Sequence, residues 1–252
     1  MKLNVVTPRT GLKWVREGVR TFMRQPLALA GLFFMYVTAV VVVSQIPVLG
    51  VLIGGLLVPA ATLGLMAATA EASRGRFPMP SVLISSFRAG RQQARAMLVL
   101  GIIYTVGSVF ATGLARMLTG EPTGGDAGEI DASVLVALAF HLPLFMMFWH
   151  APALVHWHGV SPPKALFFSV VAVVRNFGAH LVYGLGWLGV FVVAGSAFGL
   201  LGNLLGGPKL AQAMMMPVAL LMAAMFSSSM YFTFRDSFAA DTDVPPQPAP
   251  LP

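Results

Sequence analysis

Five histidines are the residues best suited to metal binding or proton transfer in this chain: His141, His150, His156, His158 and His180. Imidazole is a common metal ligand and the side chain whose charge changes near neutral pH. Their spacing argues against a metal centre. On one helix His141 and His150 fall half a turn out of phase and roughly 13 Å apart. No carboxylate lies in the apolar run around them to complete a ligand set, and the absence of cysteine removes thiolate sites, disulfides and thiol chemistry. His156-Trp157-His158 falls where that run ends, a place that suits interfacial rings. His150 lies well inside the run, where an ionisable residue is a candidate functional group. A neutral imidazole hydrogen-bonded to a neighbouring carbonyl is the plainer role. His141 and His150 together form the candidate intramembrane polar site, and no metal is expected.

Gly184-Leu-Gly186-Trp-Leu-Gly189 matches the spacing of a dinucleotide fingerprint. That motif needs a preceding strand, a following helix and a water-facing phosphate site. Here it lies within an apolar segment, so no cofactor is expected. Small residues let transmembrane backbones approach closely. Gly184, Gly195 and Gly199, continued by Gly202 and Gly206, read better as a helix-packing face, either within the monomer or between copies.

The elements that carry these residues are apolar and long. Hydrophobic residues make up 57% of the 252 residues and charged residues 10%, against about 45–50% and 25% in a soluble domain. A span needs roughly 20 apolar residues. Leu27–Ile46, Val51–Ala70, Ala96–Ala115, Ser133–Val155, Gly178–Leu201 and Leu210–Phe234 meet or nearly meet that length. Pro59, Pro143, Pro152 and Pro217 mark kinks, each freeing a carbonyl inside a span. The first 26 residues hold no apolar core or cleavage site, so the first span is expected to serve as the targeting signal.

Charge orients these spans. With six crossings, 14 of the 16 Lys and Arg fall on the side of the N-terminus, leaving Arg116 and Lys209 opposite, with Glu121, Asp126, Glu129 and Asp131. Lys and Arg in short loops mark the cytoplasmic side. Both termini are therefore expected in the cytoplasm.

Each pair of spans follows a shorter segment. In Thr10–Gln25, helical spacing puts Leu12, Val15, Val19 and Phe22 on one stripe beside Lys13, Arg16, Arg20 and Arg24. In Ser81–Arg95, Leu83, Phe87 and Ala94 are flanked by Arg88, Arg91 and Arg95. Both patterns predict helices lying in the interface plane. Lys164–Asn176, bounded by Lys164 and Arg175, is apolar all round except Ser169, which predicts a re-entrant or protein-buried helix. Shifting residues 80–101 onto 163–184 gives eight identities in 22 positions, including Pro80/Pro163, Leu83/Leu166 and Ser86/Ser169. These features suggest three parallel pseudo-repeats, about 10–71, 80–157 and 163–235. They form one membrane domain over residues 1–240, followed by a disordered Pro-rich cytoplasmic tail at 241–252.

FPMPSVLISSFR, APALVHWHGVSPPKALFFS and RNFGAHLVYGLGW resemble an uncharacterised family of beta-proteobacterial multi-span inner-membrane proteins, from TGLKWVREG to about Tyr231. Pro-x-x-Ala-Leu-x-x-Ser leading to Arg-Asn is more distantly similar to YciC-like proteins and glycerophosphodiester-phosphodiesterase membrane domains. The resemblance implies a multi-span architecture in a bacterial inner membrane but no reaction; the spans and repeats themselves predict an all-α bundle of six transmembrane helices in three hairpins, each preceded by a cytoplasmic interfacial or re-entrant helix.

The expected partner is anionic lipid, attracted by about 1 kcal/mol per Lys or Arg near the surface. Lys13, Arg16, Arg20, Arg24, Arg88, Arg91, Arg95, Lys164 and Arg175 are the candidate headgroup contacts. Nucleic acid is not expected, because the charges lie along membrane-surface segments with few aromatics. A protein partner or a homo-oligomer is left open. Two functions compete: a non-enzymatic protein that organises or senses anionic lipid, and a transporter or channel for a small solute.

Overall fold

The computed structural model describes residues 2–47, 49–120 and 131–239. Helix α1 (Thr10–Arg24) is followed by α2 (Pro26–Ser44) and α3 (Leu49–Ser73). A 3-10 turn (Pro80–Ile84) and the single-turn α4 (Ser85–Arg88) lead to α5 (Arg91–Thr119). Then come α6 (Ala132–Phe148), α7 (Ala151–His158), α8 (Pro162–Arg175) and the 61-residue α9 (Phe177–Ser237). The Pro-rich tail expected at 241–252 and the acidic residues Glu121, Asp126 and Glu129 lie outside the described residues.

Five helical stretches are long and apolar enough to cross a membrane: α2, α3, α5, α6 with α7, and α9. Their outward faces carry exposed Leu27, Val106, Met117, Val193 and Leu204, a surface suited to hydrocarbon rather than water. The two last expected spans are one element with a sharp break. Gly206 and Gly207 leave helical geometry, and Gly207 has φ +76°, a conformation only glycine adopts readily. The two arms then pack antiparallel. Gly202 lies against Ala211 near the bend, Gly199 against Met215 further on, and Tyr183 and Trp187 against Phe226 and Ser229 at the far end.

The fourth span also departs from expectation. It breaks at Trp149–His150, and Pro152 sits in the first turn of α7, where proline's missing N–H costs nothing. Ser169 on α8 completes the break. Its hydroxyl donates to Met146 O at 2.7 Å and accepts from His150 N–H at 3.0 Å. A side chain inserted into the i→i−4 ladder is a recognised cause of a helix kink. Pro59, Pro143 and Pro217 lie inside their helices.

The three shorter segments differ from one another. α1 forms over the expected range, but its buried face is Gly11, Trp14, Val15, Gly18, Thr21 and Phe22, while Leu12 is exposed and Val19 only half-buried. Glycine sets that face. A Cβ on Gly11 would lie 2.6 Å from Tyr183 N, and one on Gly18 would lie 2.7 Å from Ser229 Cα. α1 is therefore pressed onto α9 along its glycine face. Ser81–Arg95 is not one helix, because Gly90 at φ +118° separates α4 from α5. α8 buries Ala165, Leu166, Ser169, Ala172 and Val173 against α6 and α7 and exposes Phe167 and Val174. The short segments therefore lie on different long helices: 80–88 on α3, α8 on the broken span of α6 and α7, and α1 on α9 at the other end of the sequence.

The described ends of the chain meet. Lys2–Leu3 (β1) pairs antiparallel with Phe238–Ala239 (β2), with Leu3 opposite Phe238. Asn176, buried at the start of α9, accepts Val6 N–H on Oδ1 at 2.8 Å and donates Nδ2 to Asn4 O at 3.0 Å.

Candidate functional site

His150 is fully buried at the α6–α7 joint and so faces no open passage. It packs edge-on to His180 at 5.8 Å and to Phe238 at 5.4 Å between ring centroids. Thr233 gives its hydroxyl proton to Met230 O at 2.7 Å, so it accepts from Trp149 Nε1 at 3.0 Å and from His150 Nε2 at 3.3 Å. His150 Nε2 therefore carries the proton, and Nδ1 is buried without a partner. His141 is elsewhere. Its ring meets Ala137 O at 2.8 Å and Ser108 Oγ at 3.4 Å, bridging α6 to α5. The structure does not bring His141 and His150 together. No group of three or more metal-ligating side chains occurs among the described residues.

Next to His150, α1 is fastened to the end of α9 by polar contacts. Asp236 accepts from Trp14 Nε1 at 3.1 Å, Lys13 Nζ at 3.3 Å and Arg235 Nε at 2.8 Å. Arg235 also pairs with Glu17 at 2.7 Å. Deeper in, Ser229 donates to Phe226 O and accepts from Tyr183 and Trp187. Local spacing could not find this clamp, because its partners are more than 200 residues apart in Trp14–Asp236 and Glu17–Arg235.

The glycines assigned to packing are displaced. A Cβ at Gly184 or Gly195 would meet nothing within 4 Å, and one at Gly199 only Met215 Cε at 3.5 Å. Within the monomer the close approaches belong instead to Gly11, Gly18, Gly64, Gly101 and Gly202. Gly184 and Gly195 face outward because the packed side of the first α9 arm runs through Ala179, Tyr183 and Trp187.

Two cavities of about 460 Å³ each flank the segment after α3. One is lined by Glu71, Phe77, Ser81, Ser85, Arg88 and His156. The other is almost wholly apolar and lies between α2, α3 and residues 80–87. Ser81 lines both.

The chain is 40% identical over 256 residues to a Burkholderia thailandensis protein named "Probable inner membrane protein", covering 94% of each. The chain belongs to that family of inner-membrane proteins. No family model and no solved structure matches it, so the more distant likeness to YciC-like proteins and phosphodiesterase membrane domains gains no support.

In a protein of the inner membrane, the charge distribution at one end of the bundle becomes informative. Glu17, Glu71 and Asp236 are each already paired, with Arg235, Arg76 and Lys13 or Arg235. Arg16, Arg20, Arg24, Arg88, Arg91, Arg95, Lys164 and Arg175 are exposed and have no carboxylate partner among the described residues. Lys13 is the one candidate headgroup residue that the fold uses internally.

Proposed function

We propose that this is a non-enzymatic six-span protein of the bacterial inner membrane, with both termini in the cytoplasm, that organises or senses anionic lipid of the cytoplasmic leaflet. The observation carrying the reading is the surplus of exposed, unpaired Arg and Lys at an end where each described carboxylate is already neutralised. Anionic headgroups supply the missing counter-charge, and Lys and Arg of short connections favour the cytoplasmic side. The meeting of Lys2–Leu3 with Phe238–Ala239 supports an even number of crossings, with α9 crossing twice through its break at Gly206–Gly207. The packing of 80–88 on α3 and of α8 on α6 and α7, the span before each, supports a shared unit in pseudo-repeats arranged as hairpins, while α1 packs on α9 instead. Solute transport is the weaker alternative, since His150, the residue expected to face a passage, is fully buried.

The test replaces Arg16, Arg20, Arg24, Arg88, Arg91 and Arg95 together by Gln and measures the phosphatidylglycerol and cardiolipin that co-purify with the protein. Retention should fall at least tenfold, since each surface cation contributes up to about 1 kcal/mol and six are removed together. Unchanged retention removes the reading.

A further inference from the structure

The two cavities beside residues 77–89 differ in chemistry and share a wall. The apolar one is lined by Tyr36, Ala39 and Val43 of α2, Gly54 and Ala61 of α3, and Phe87. Gly and Ala on the facing helices leave the space open, and a Cβ added at Gly54 would meet nothing within 4 Å. Its volume falls within the range of about 300–1,000 Å³ common for small-ligand sites. Bordered by helices of membrane-spanning length, it has walls that match hydrocarbon.

The polar cavity begins across Ser81. Arg88 lines it, exposed and without a carboxylate partner among the described residues. Ser85 lines it too, and its Oγ is buried with no hydrogen bond. His156, on α7, adds a ring whose Nδ1 is also buried and unpartnered. Glu71 is the one carboxylate in the lining, and both its oxygens are taken by Arg76. A cation with no carboxylate, a hydroxyl without a partner and a neutralised acid together suit a phosphate ester. Phe77 and Met79, both well exposed, extend from the same wall as apolar side chains at the level of the mouth.

We propose that this pair of cavities is a binding site for one anionic glycerophospholipid, with an acyl chain between α2 and α3 and the phosphate at Arg88, Ser85 and His156. Charge complementarity at the mouth and an apolar lining behind it select this occupant over a soluble anion or an apolar solute. The inference rests on the reading that the basic end faces an anionic leaflet, but it makes a narrower claim: one seated lipid rather than a general attraction.

Native mass spectrometry of the full chain in detergent, titrated with phosphatidylglycerol, reads the site directly. The wild type should show one phospholipid bound more tightly than the rest. Gly54→Leu fills the apolar cavity without a clash at its Cβ, and Arg88→Gln removes the cation. Each should weaken that first binding roughly tenfold, the scale of one charge-assisted contact or one filled cavity. Gly54→Leu should leave the unfolding temperature in detergent unchanged or slightly raised, since Gly is a poor helix former. Arg16→Gln/Arg20→Gln/Arg24→Gln, outside the cavities, should leave the first binding intact while reducing weaker binding. Undiminished first binding in Gly54→Leu overturns the site, as does displacement of the lipid by soluble glycerol phosphate. Loss confined to the triple variant retains the leaflet reading and rejects the site. Loss in Gly54→Leu and Arg88→Gln, with no effect of the triple variant on any lipid, keeps the site and rejects the leaflet reading.

Discussion

The clamp between α1 and α9 and the segment at 77–89 lie at the same end of the bundle and use polar side chains in opposite ways. In the clamp the charged groups are committed to the fold, although Ser237 Oγ and His180 Nε2 beside them are buried without partners: Asp236 accepts from three side chains, Glu17 holds Arg235, and Ser229 both donates and accepts. At 77–89 the polar groups are left over. Arg88 has no carboxylate partner among the described residues, and the Oγ atoms of Ser85 and Ser86 are buried without hydrogen bonds. Glycine divides less cleanly, since Gly11 and Gly18 meet another backbone in the clamp and Gly64 meets that of Leu83, whereas Gly54 in the apolar cavity faces empty space. A buried hydroxyl that is satisfied stabilises a fold, whereas one that is not destabilises it unless a ligand completes it. The first region is thus built for rigidity and the second for an occupant.

The sharpest way to break this contrast is to force apart the clamp. Gly18→Leu puts a side chain where even a Cβ would lie 2.7 Å from Ser229 Cα, and a backbone atom cannot move aside as a side-chain tip can. Overpacking of this kind costs about 1–3 kcal/mol, occasionally more. The expected outcome is a lowered unfolding temperature in detergent and a reduced yield of monodisperse protein. A Gly18→Leu protein as stable as the wild type would mean that α1 is free of α9 and would undo the picture of a rigid clamp.

That picture shows where the sequence was readable. Apolar stretches are legible because hydrocarbon thickness is a fixed ruler: the five helical stretches long enough to cross a membrane coincide with the expected segments, except that Leu27–Ile46 runs two residues past α2 and the last two segments share α9. The stripe on α1 was misplaced because apolar periodicity gives no weight to Gly11 and Gly18, although those two set how closely the helix packs. The helix expected across 81–95 fails at Gly90, a residue whose backbone freedom outweighs the amphipathic pattern around it. The clamp was illegible for another reason, since a Trp14 and an Asp236 become partners only when the chain closes on itself. His150 shows the intermediate case. Its isolation in an apolar run marks it as unusual, but the contact that explains its place is Ser169, which in the sequence is visible only as the polar exception in α8 and the repeat partner of Ser86.

Ser169 gives the next prediction. Ser169→Ala withdraws the hydroxyl that joins Met146 O to His150 N–H and leaves one buried and one part-buried backbone group without that partner. Losing a satisfied buried hydrogen bond costs about 1–3 kcal/mol. The unfolding temperature should fall, and hydrogen exchange should speed up at His150 and its neighbours in α7. Wild-type exchange there would indicate that α6 and α7 close their own ladder once the serine is gone.

Ser85→Ala is the matched experiment at the other region and carries the smallest expected effect on stability. The same atom is removed as in Ser169→Ala, but Ser85 Oγ is buried and makes no hydrogen bond, so nothing in the fold loses a partner. The change should leave unfolding within about 0.5 kcal/mol of the wild type, or raise stability slightly by removing an unsatisfied group. A ligand that binds only the folded state stabilises it by mass action. Added phosphatidylglycerol should therefore raise the unfolding temperature of the wild type more than that of Ser85→Ala, while phosphatidylcholine should not separate the two. A Ser85→Ala protein destabilised as much as Ser169→Ala would mean that Ser85 serves the fold and would erase the contrast. Equal stabilisation of both proteins by phosphatidylglycerol would take Ser85 out of the lipid site and leave the phosphate to Arg88 and His156.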